Sequence, residues 1–274
     1  MKRLIIIPLL FWGCASNYSN IDKKIHETNI EKKLIQNYQI SKSALTKTAD
    51  GYIFTLPEEN GFSIYKLNKN YDLVNKKKIP VFLDIKKTKY KNGAIYIVGY
   101  DQQKNRPAIF IIDESFKNYK INHFAHKYDV PEDFLIDNNP VVLLTTFKNE
   151  NSDIEIYENS KTEIFPNPAQ EHGKFIVKKD GGYYIIGSIQ HPQEDLLILF
   201  VKNGKIVWSR VYDFGMEDSP EKVEIKDGNL VIKVLSQDYM GAQNEFYITL
   251  NKNGKIIKIK KGVGFKTLPI RYRT

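Results

Sequence analysis

The sequence predicts an all-β fold, a β-propeller of four-stranded antiparallel blades. Five blades can be counted, with six as an alternative. Three observations predict it. Turn dipeptides that tolerate positive φ recur along the chain, an apolar strand follows each member of one class of these turns, and the interval between equivalent turns is 41 to 47 residues. A repeat of that length is the mark of stacked supersecondary units. A β-sandwich or curled meander is the competing arrangement.

The turn pairs are Asp50-Gly51, Asn92-Gly93, Asp180-Gly181, Asn203-Gly204, Asp227-Gly228 and Asn253-Gly254. Such pairs suit two-residue hairpins, whose central residues need positive φ. Taking Gly51, Gly93, Pro140, Gly181 and Gly228 as markers, the spacings are 42, 47, 41 and 47. After each marker comes an apolar strand: YIFTL (52–56), AIYIVGY (94–100), VVLLTTF (141–147), YYIIGSI (183–189) and NLVIKVL (229–235). A polar loop and a second apolar strand follow, as in AIFIID (108–113) and DLLILFV (195–201), then a third, as in KIVWSRVY (205–212). A further strand precedes each marker, such as KFIVKK (174–179) or KVEIK (222–226). Four strands in up-and-down order make one blade.

Leu196 to Val201 is apolar at every position. Strands read that way when both faces are buried, as inner strands between stacked blades are. Strand QNYQI (37–41) lacks a unit of its own and is expected to close the ring as an outer strand of the last blade. The six-bladed alternative combines residues 32–48 with the tail GVGFKTLPIRYRT. The stretch DGGYYIIGSI…DLLILFVKNGKIVWSRVY (180–212) resembles a repeat of bacterial propeller proteins, and this resemblance implies a fold rather than an activity.

The bulk composition agrees with a folded domain. Of 274 residues, 42% are hydrophobic and 12% aromatic, enough apolar surface for a core. The formal charge is +9, from 41 Lys+Arg against 32 Asp+Glu. The basic residues are mostly Lys, without a long basic block, zinc-ligand spacing or recognition helix, so the charge does not indicate nucleic-acid binding.

The N-terminus predicts export. Lys2 and Arg3 precede nine apolar residues, Leu4 to Trp12, interrupted only by Pro8. This run is too short to span a bilayer as a helix and has the size of a signal-peptide core. Cys14 is the single cysteine in the chain, so it has no internal disulfide partner. Leu10-Phe11-Trp12-Gly13-Cys14 resembles the lipobox of bacterial lipoproteins, with Phe11 and Trp12 where that family carries Leu and a small residue. The resemblance implies cleavage after Gly13 and lipidation of Cys14. Several acyl chains anchor stably where one binds marginally. With Ala15 rather than Asp after the cysteine, it also implies outer-membrane sorting. The expected organisation is a signal peptide over 1–13, a lipidated Cys and polar linker over 14–36, and the propeller over 37–274.

No nucleophile elbow, P-loop or dinucleotide fingerprint is present, and no cofactor is expected. Among the five histidines only His123 and His126 are close, and three residues apart on a strand they do not share a face. No metal site is therefore expected. Adjacent acids occur at Glu58-Glu59, Glu132-Asp133, Glu194-Asp195 and Glu217-Asp218. Carboxylate pairs can run glycoside chemistry, but no catalytic residue is assigned.

In a propeller, the loops joining the second and third strands share one face with the loops between blades. That upper face is net acidic in sequence, whereas the opposite hairpin turns are net basic. Tyr100, Phe147, His191, Tyr239, Met240, Glu217 and Asp218 form the candidate binding face, suited to a basic or mixed partner. The function expected is a lipid-anchored, non-catalytic binding scaffold for an envelope protein or glycan. A glycan-active enzyme and a surface adhesin are the alternatives.

Overall fold

The computed structural model describes residues 45–262, except 125, 149 and 191, and the backbone of 271–273. Cys14, the linker and the strand expected over 37–41 lie outside the described residues. The described residues form five runs of four strands, each strand pairing antiparallel with the next within its run, and one parallel pair, Glu194 with Glu217, joins the last two runs into a single sheet. The first contains β1 (Thr46–Lys47), β2 (Gly51–Glu58), β3 (Gly61–Asn68) and β4 (Leu73–Ile79). The second contains β5 (Leu83–Lys91), β6 (Ala94–Asp101), β7 (Arg106–Asp113) and β8 (Tyr119–His123). The third has β9 (Val130–Ile136), β10 (Pro140–Lys148), β11 (Asn151–Glu158) and β12 (Lys161–Phe165). The fourth has β13 (Gln170–Lys179), β14 (Gly182–Gln190), β15 (Glu194–Lys202) and β16 (Lys205–Asp213). The fifth has β17 (Glu217–Lys226), β18 (Asn229–Gln237), β19 (Gln243–Leu250) and β20 (Ile256–Lys261).

Local backbone chemistry produces these hairpins. At Asn92-Gly93, Asp180-Gly181, Asn203-Gly204 and Asp227-Gly228 both residues have positive φ, the geometry whose twist matches that of the flanking strands. Asp50-Gly51 is positive at neither residue, and Asn253-Gly254 only at the glycine. There the Asn251 side chain caps the turn, accepting from the amides of Asn253 and Lys255 at 3.0 Å each.

Apolar seams join consecutive blades. Ile64, Ile79, Ile97 and Phe110 pack between the first two, and Val98, Phe134, Val142 and Leu144 between the second and third. Ile154, Ile176, Ile185 and Leu199 fill the third seam, and Tyr184, Ile198, Ile232 and Phe246 the fourth. Strand β15 contributes to two seams, and Leu196 to Val201 are buried throughout, as their sequence predicts. Blade five departs from that texture. Along β18 and β19 buried and half-buried residues alternate strictly, so only one face enters a seam. Among the described residues no apolar cluster joins blade five to blade one.

The tail does not follow the six-bladed alternative in its described part. Strand β21 (Arg271–Arg273) pairs antiparallel with β16 on the outside of blade four. An outer strand offers unpaired amides and carbonyls that a passing segment can satisfy.

One buried acid makes the fold sensitive to pH. Glu155 lies opposite Leu144 in the β10–β11 ladder, fully buried, and neither carboxylate oxygen has a hydrogen-bond partner. Burial, reinforced by the charge of Asp129 and opposed by Lys148, pushes its pKa from 4.5 up to about 8. Between those values the folded chain retains a proton that the unfolded chain has lost, so this residue's contribution to stability falls as pH rises through the window. Glu155→Gln keeps the shape without the charge. Its melting temperature is expected to match the parent at pH 5 and to exceed it by about 5 °C at pH 8.5, as read in thermal melts at both pH values.

Candidate functional site

The innermost strands of blades two to five share one irregularity. Register shifts fall between Ile85 and Lys87 in β5, opposite Leu143/Leu144 in β9, between Gly173 and Phe175 in β13, and between Pro220 and Lys222 in β17. Each is a β-bulge, which leaves one residue out of the ladder and re-aims its side chain. The four residues set free are Lys86, Glu132, Lys174 and Glu221, alternating in sign around the axis. Lys86 Nζ lies 3.2 Å from Glu132 Oε2, and Lys174 Nζ 3.2 Å from Glu221 Oε1. Lys174 also donates to Ser219 Oγ at 3.0 Å.

Three of them, Lys86, Glu132 and Lys174, border a cavity of about 480 Å³ that draws residues from four blades and also takes in His172, Glu194 and Ser219. Close approach of backbones builds its wall, because Gly187 stands opposite the bulged segment. A Cβ there would lie 1.9 Å from the His172 carbonyl oxygen. Glu132 is partly withdrawn from water, and burial raises its pKa against the opposing pull of Lys86.

Beneath the cavity, Asp133 fixes three blades. Its Oδ1 accepts from Lys87 Nζ of blade two at 2.6 Å and from the Phe134 amide at 2.7 Å, while Oδ2 accepts from the Ile176 amide of blade four at 3.2 Å. Successive strand residues point to opposite faces, so Glu132 reaches the cavity and Asp133 the seam. The same division separates Glu194, on the cavity, from buried Asp195, and exposed Glu217 from buried Asp218. Adjacent acids in sequence are thus not paired acids in space.

The expected binding residues fall into two groups. Phe147 is 53% exposed, with its ring 6.2 Å from that of the cavity residue His172. Tyr239 and Met240 are 66% and 94% exposed, and Gln193 Nε2 donates to the Tyr239 hydroxyl at 3.3 Å, next to Glu194. None of these three lines the cavity itself, and exposed Glu217 pairs with the cavity residue Glu194 where β15 meets β17. Tyr100 is half-buried in β6, beside Tyr128 and Asp129, and does not line the cavity. His191 lies outside the described residues. Asp218 does not belong to an exposed face: it is fully buried, because the crossover from β16 turns it inward, where the Phe214 amide donates to it at 2.7 Å. His123 is bound by Asp101 at 2.7 Å, while His126 donates its backbone amide to Asp129.

The sequence reading missed the bulged charges although they leave a trace. Each stands seven or eight residues before its marker, at Lys86, Glu132, Lys174 and Glu221. A charge in each of these inner strands, repeated at that offset, is the signal.

No family model matches this chain, and no curated protein matches it in sequence. Solved structures do. It is similar to Kuenenia stuttgartiensis hydrazine synthase at 12% identity, TM-score 0.56, over 77% of this chain and 64% of that one. It is also similar to a puromycin hydrolase, in an S511A mutant structure, at 11% identity, TM-score 0.53, over 84% of this chain and 40% of that one. The chain therefore spans less than two thirds of either relative. At such identity the likeness shows the fold alone, and the fold is that of the β-propeller class.

Asp133→Ala would leave Lys87 and the Ile176 amide without their acceptor. We expect a loss of about 3 kcal/mol, read in urea unfolding, with Gly187→Ala costing about 1–3 kcal/mol through overpacking.

Proposed function

We propose that this chain is a lipid-anchored β-propeller of the cell envelope, sorted to the outer membrane, that holds a protein or glycan partner without turning it over. The observation that carries the reading is the exposed pair Tyr239 and Met240 beside a cavity whose charges are matched. Large apolar side chains at such exposure are the anchors of a partner interface, with polar groups around them fixing orientation. The anchor itself is argued from the apolar leader and the FWGC sequence ending at Cys14. Repeat architectures present broad surfaces for this kind of use.

A second reading, a glycan-active enzyme, is favoured by one observation: Glu132, with its raised pKa, and Glu194 line the same cavity. The experiment that separates the two is chemical crosslinking in intact envelopes, followed by mass spectrometry. The scaffold reading expects a specific crosslinked partner, lost about tenfold or more in the Tyr239→Ala/Met240→Ala chain and retained in Glu132→Gln. Turnover of an envelope glycan that disappears in Glu132→Gln would establish the enzyme instead. Cys14→Ser is expected to move the protein from the membrane fraction to the soluble one, and unchanged fractionation would overturn the anchor. Protease treatment of whole cells tests the adhesin reading.

A further inference from the structure

The seams on either side of blade four follow one plan with a telling difference. In each, an acid at the head of a third strand (Asp153 or Asp195) meets an acid near the start of the next inner strand (Glu171 or Asp218). Between blades three and four, Asn167 reconciles them. Its backbone amide donates to Asp153 Oδ1 at 3.0 Å and its side-chain amide to Glu171 Oε1 at 2.6 Å.

Between blades four and five, the residue in the same place, four before the acid, is Phe214. It lends Asp218 only its backbone amide, while its ring packs into the apolar core. A third acid, Asp213, joins instead. Ligand oxygens of Asp195, Asp213 and Asp218 all lie within 4.8 Å of one another, and the three residues are 1%, 5% and 0% exposed. Asp218 Oδ1 has no hydrogen-bond partner. Ser236, paired with Asp218 in the ladder and fully buried, is aimed at the Asp218 carboxylate and favours its charged form, yet its Oγ reaches no partner at full hydrogen-bond geometry. That oxygen is aimed at the crossover, since a Cβ on Gly215 would lie 2.7 Å from it. Asn244, paired with Ser236 and 2% exposed, likewise has Nδ2 without a partner.

We propose that this seam is a calcium site, with Asp195, Asp213 and Asp218 as ligands and Ser236 and Asn244 completing the shell. Every donor available is a hard oxygen, counting the Asn244 carbonyl that a half-turn of its amide presents. Calcium takes six to eight such oxygens at about 2.3–2.6 Å, so ligands on opposite sides of the ion stand about 5 Å apart, a span that accommodates three oxygens lying within 4.8 Å of one another. Zinc is disfavoured because the site contains neither imidazole nor thiolate. The rival source of positive charge is β21, whose Arg271 is in register with Asp213.

The mature chain, stripped with EDTA, is titrated with calcium chloride in a calorimeter and melted with and without the ion. One site per chain and a rise in melting temperature are expected, because an ion that binds the folded state alone stabilises it. Asp218→Asn is expected to weaken calcium at least about a hundredfold and abolish the rise, and Ser236→Ala to weaken it about tenfold. Should Asp218→Asn not fold, Asp195→Asn carries the same expectation. Three results overturn the proposal: no heat and no shift in the intact chain, undiminished affinity in the folded Asp variant, or calcium binding that emerges only in Arg271→Ser/Arg273→Ser. The last would give the compensating charge to β21. None of these outcomes bears on the partner reading, which Tyr239 and Met240 test.

Discussion

The carboxylate of Asp133 is the constraint on which the arrangement of the inner strands depends. A buried acid is tolerated only when its charge is met by donors of good geometry, and here the donors come from three consecutive blades. Lys89 approaches the same oxygen at 3.5 Å, with its own pKa lowered by burial against the pull of Asp133. Because Lys87 and Ile176 are each held to this group, the bulged neighbours Lys86, Glu132 and Lys174 are carried to defined places around the axis. The cavity is thus a by-product of seam geometry: the same backbone irregularity supplies the residue that binds the blades and the residue that faces solvent.

The remaining stability accumulates seam by seam, as in other repeat proteins. Blades two, three and four sit between two seams each, so their second and third strands are largely buried on both faces. Blade five enters one seam, and its β18 and β19 revert to alternation. The difference between LLILFV and NLVIKVL in the sequence is the direct record of that position. Lys233 of β18 pairs across its free face with Glu245 at 2.8 Å, a cross-strand contact that a solvated sheet accommodates and a seam does not.

Much of this architecture was legible before any coordinates. Four of the six Asn-Gly and Asp-Gly pairs set their hairpins through positive φ at both residues, and doubly buried strands announce themselves by composition, so four-stranded units emerge from local chemistry. What was not legible depended on pleat and crossover. Glu132-Asp133, Glu194-Asp195 and Glu217-Asp218 look like three loop pairs of acids, yet the period of two sends one member outward and its neighbour into a seam. Asp218 was expected on the binding face for that reason. Phe147, near the end of β10, and Tyr239 and Met240, in the loop between β18 and β19, are exposed, whereas Tyr71 and Phe116, also outside the strands, are buried. The cation site needed three segments, 195, 213 and 218, brought together by one crossover that no spacing rule describes.

The same division changes what a partner would meet. Counted in sequence, the loops of the upper face are acidic, and a basic or mixed partner is the expectation. In the fold, Asp101, Asp129, Asp133, Asp153, Asp195, Asp213 and Asp218 are all buried, which removes most of that charge from the surface and spends it on holding loops and seams. Asp101, for example, accepts from the Gln103 and Lys104 amides as well as meeting His123. The solvent-facing remainder holds Lys–Glu pairs at the axis together with exposed acids such as Glu59, Glu150 and Glu217, and with the exposed Phe147, Tyr239 and Met240. Matched charges of this kind steer little at long range and fix register at short range, so the chemistry complementary to this face is a mixed polar surface with an apolar anchor rather than a basic one.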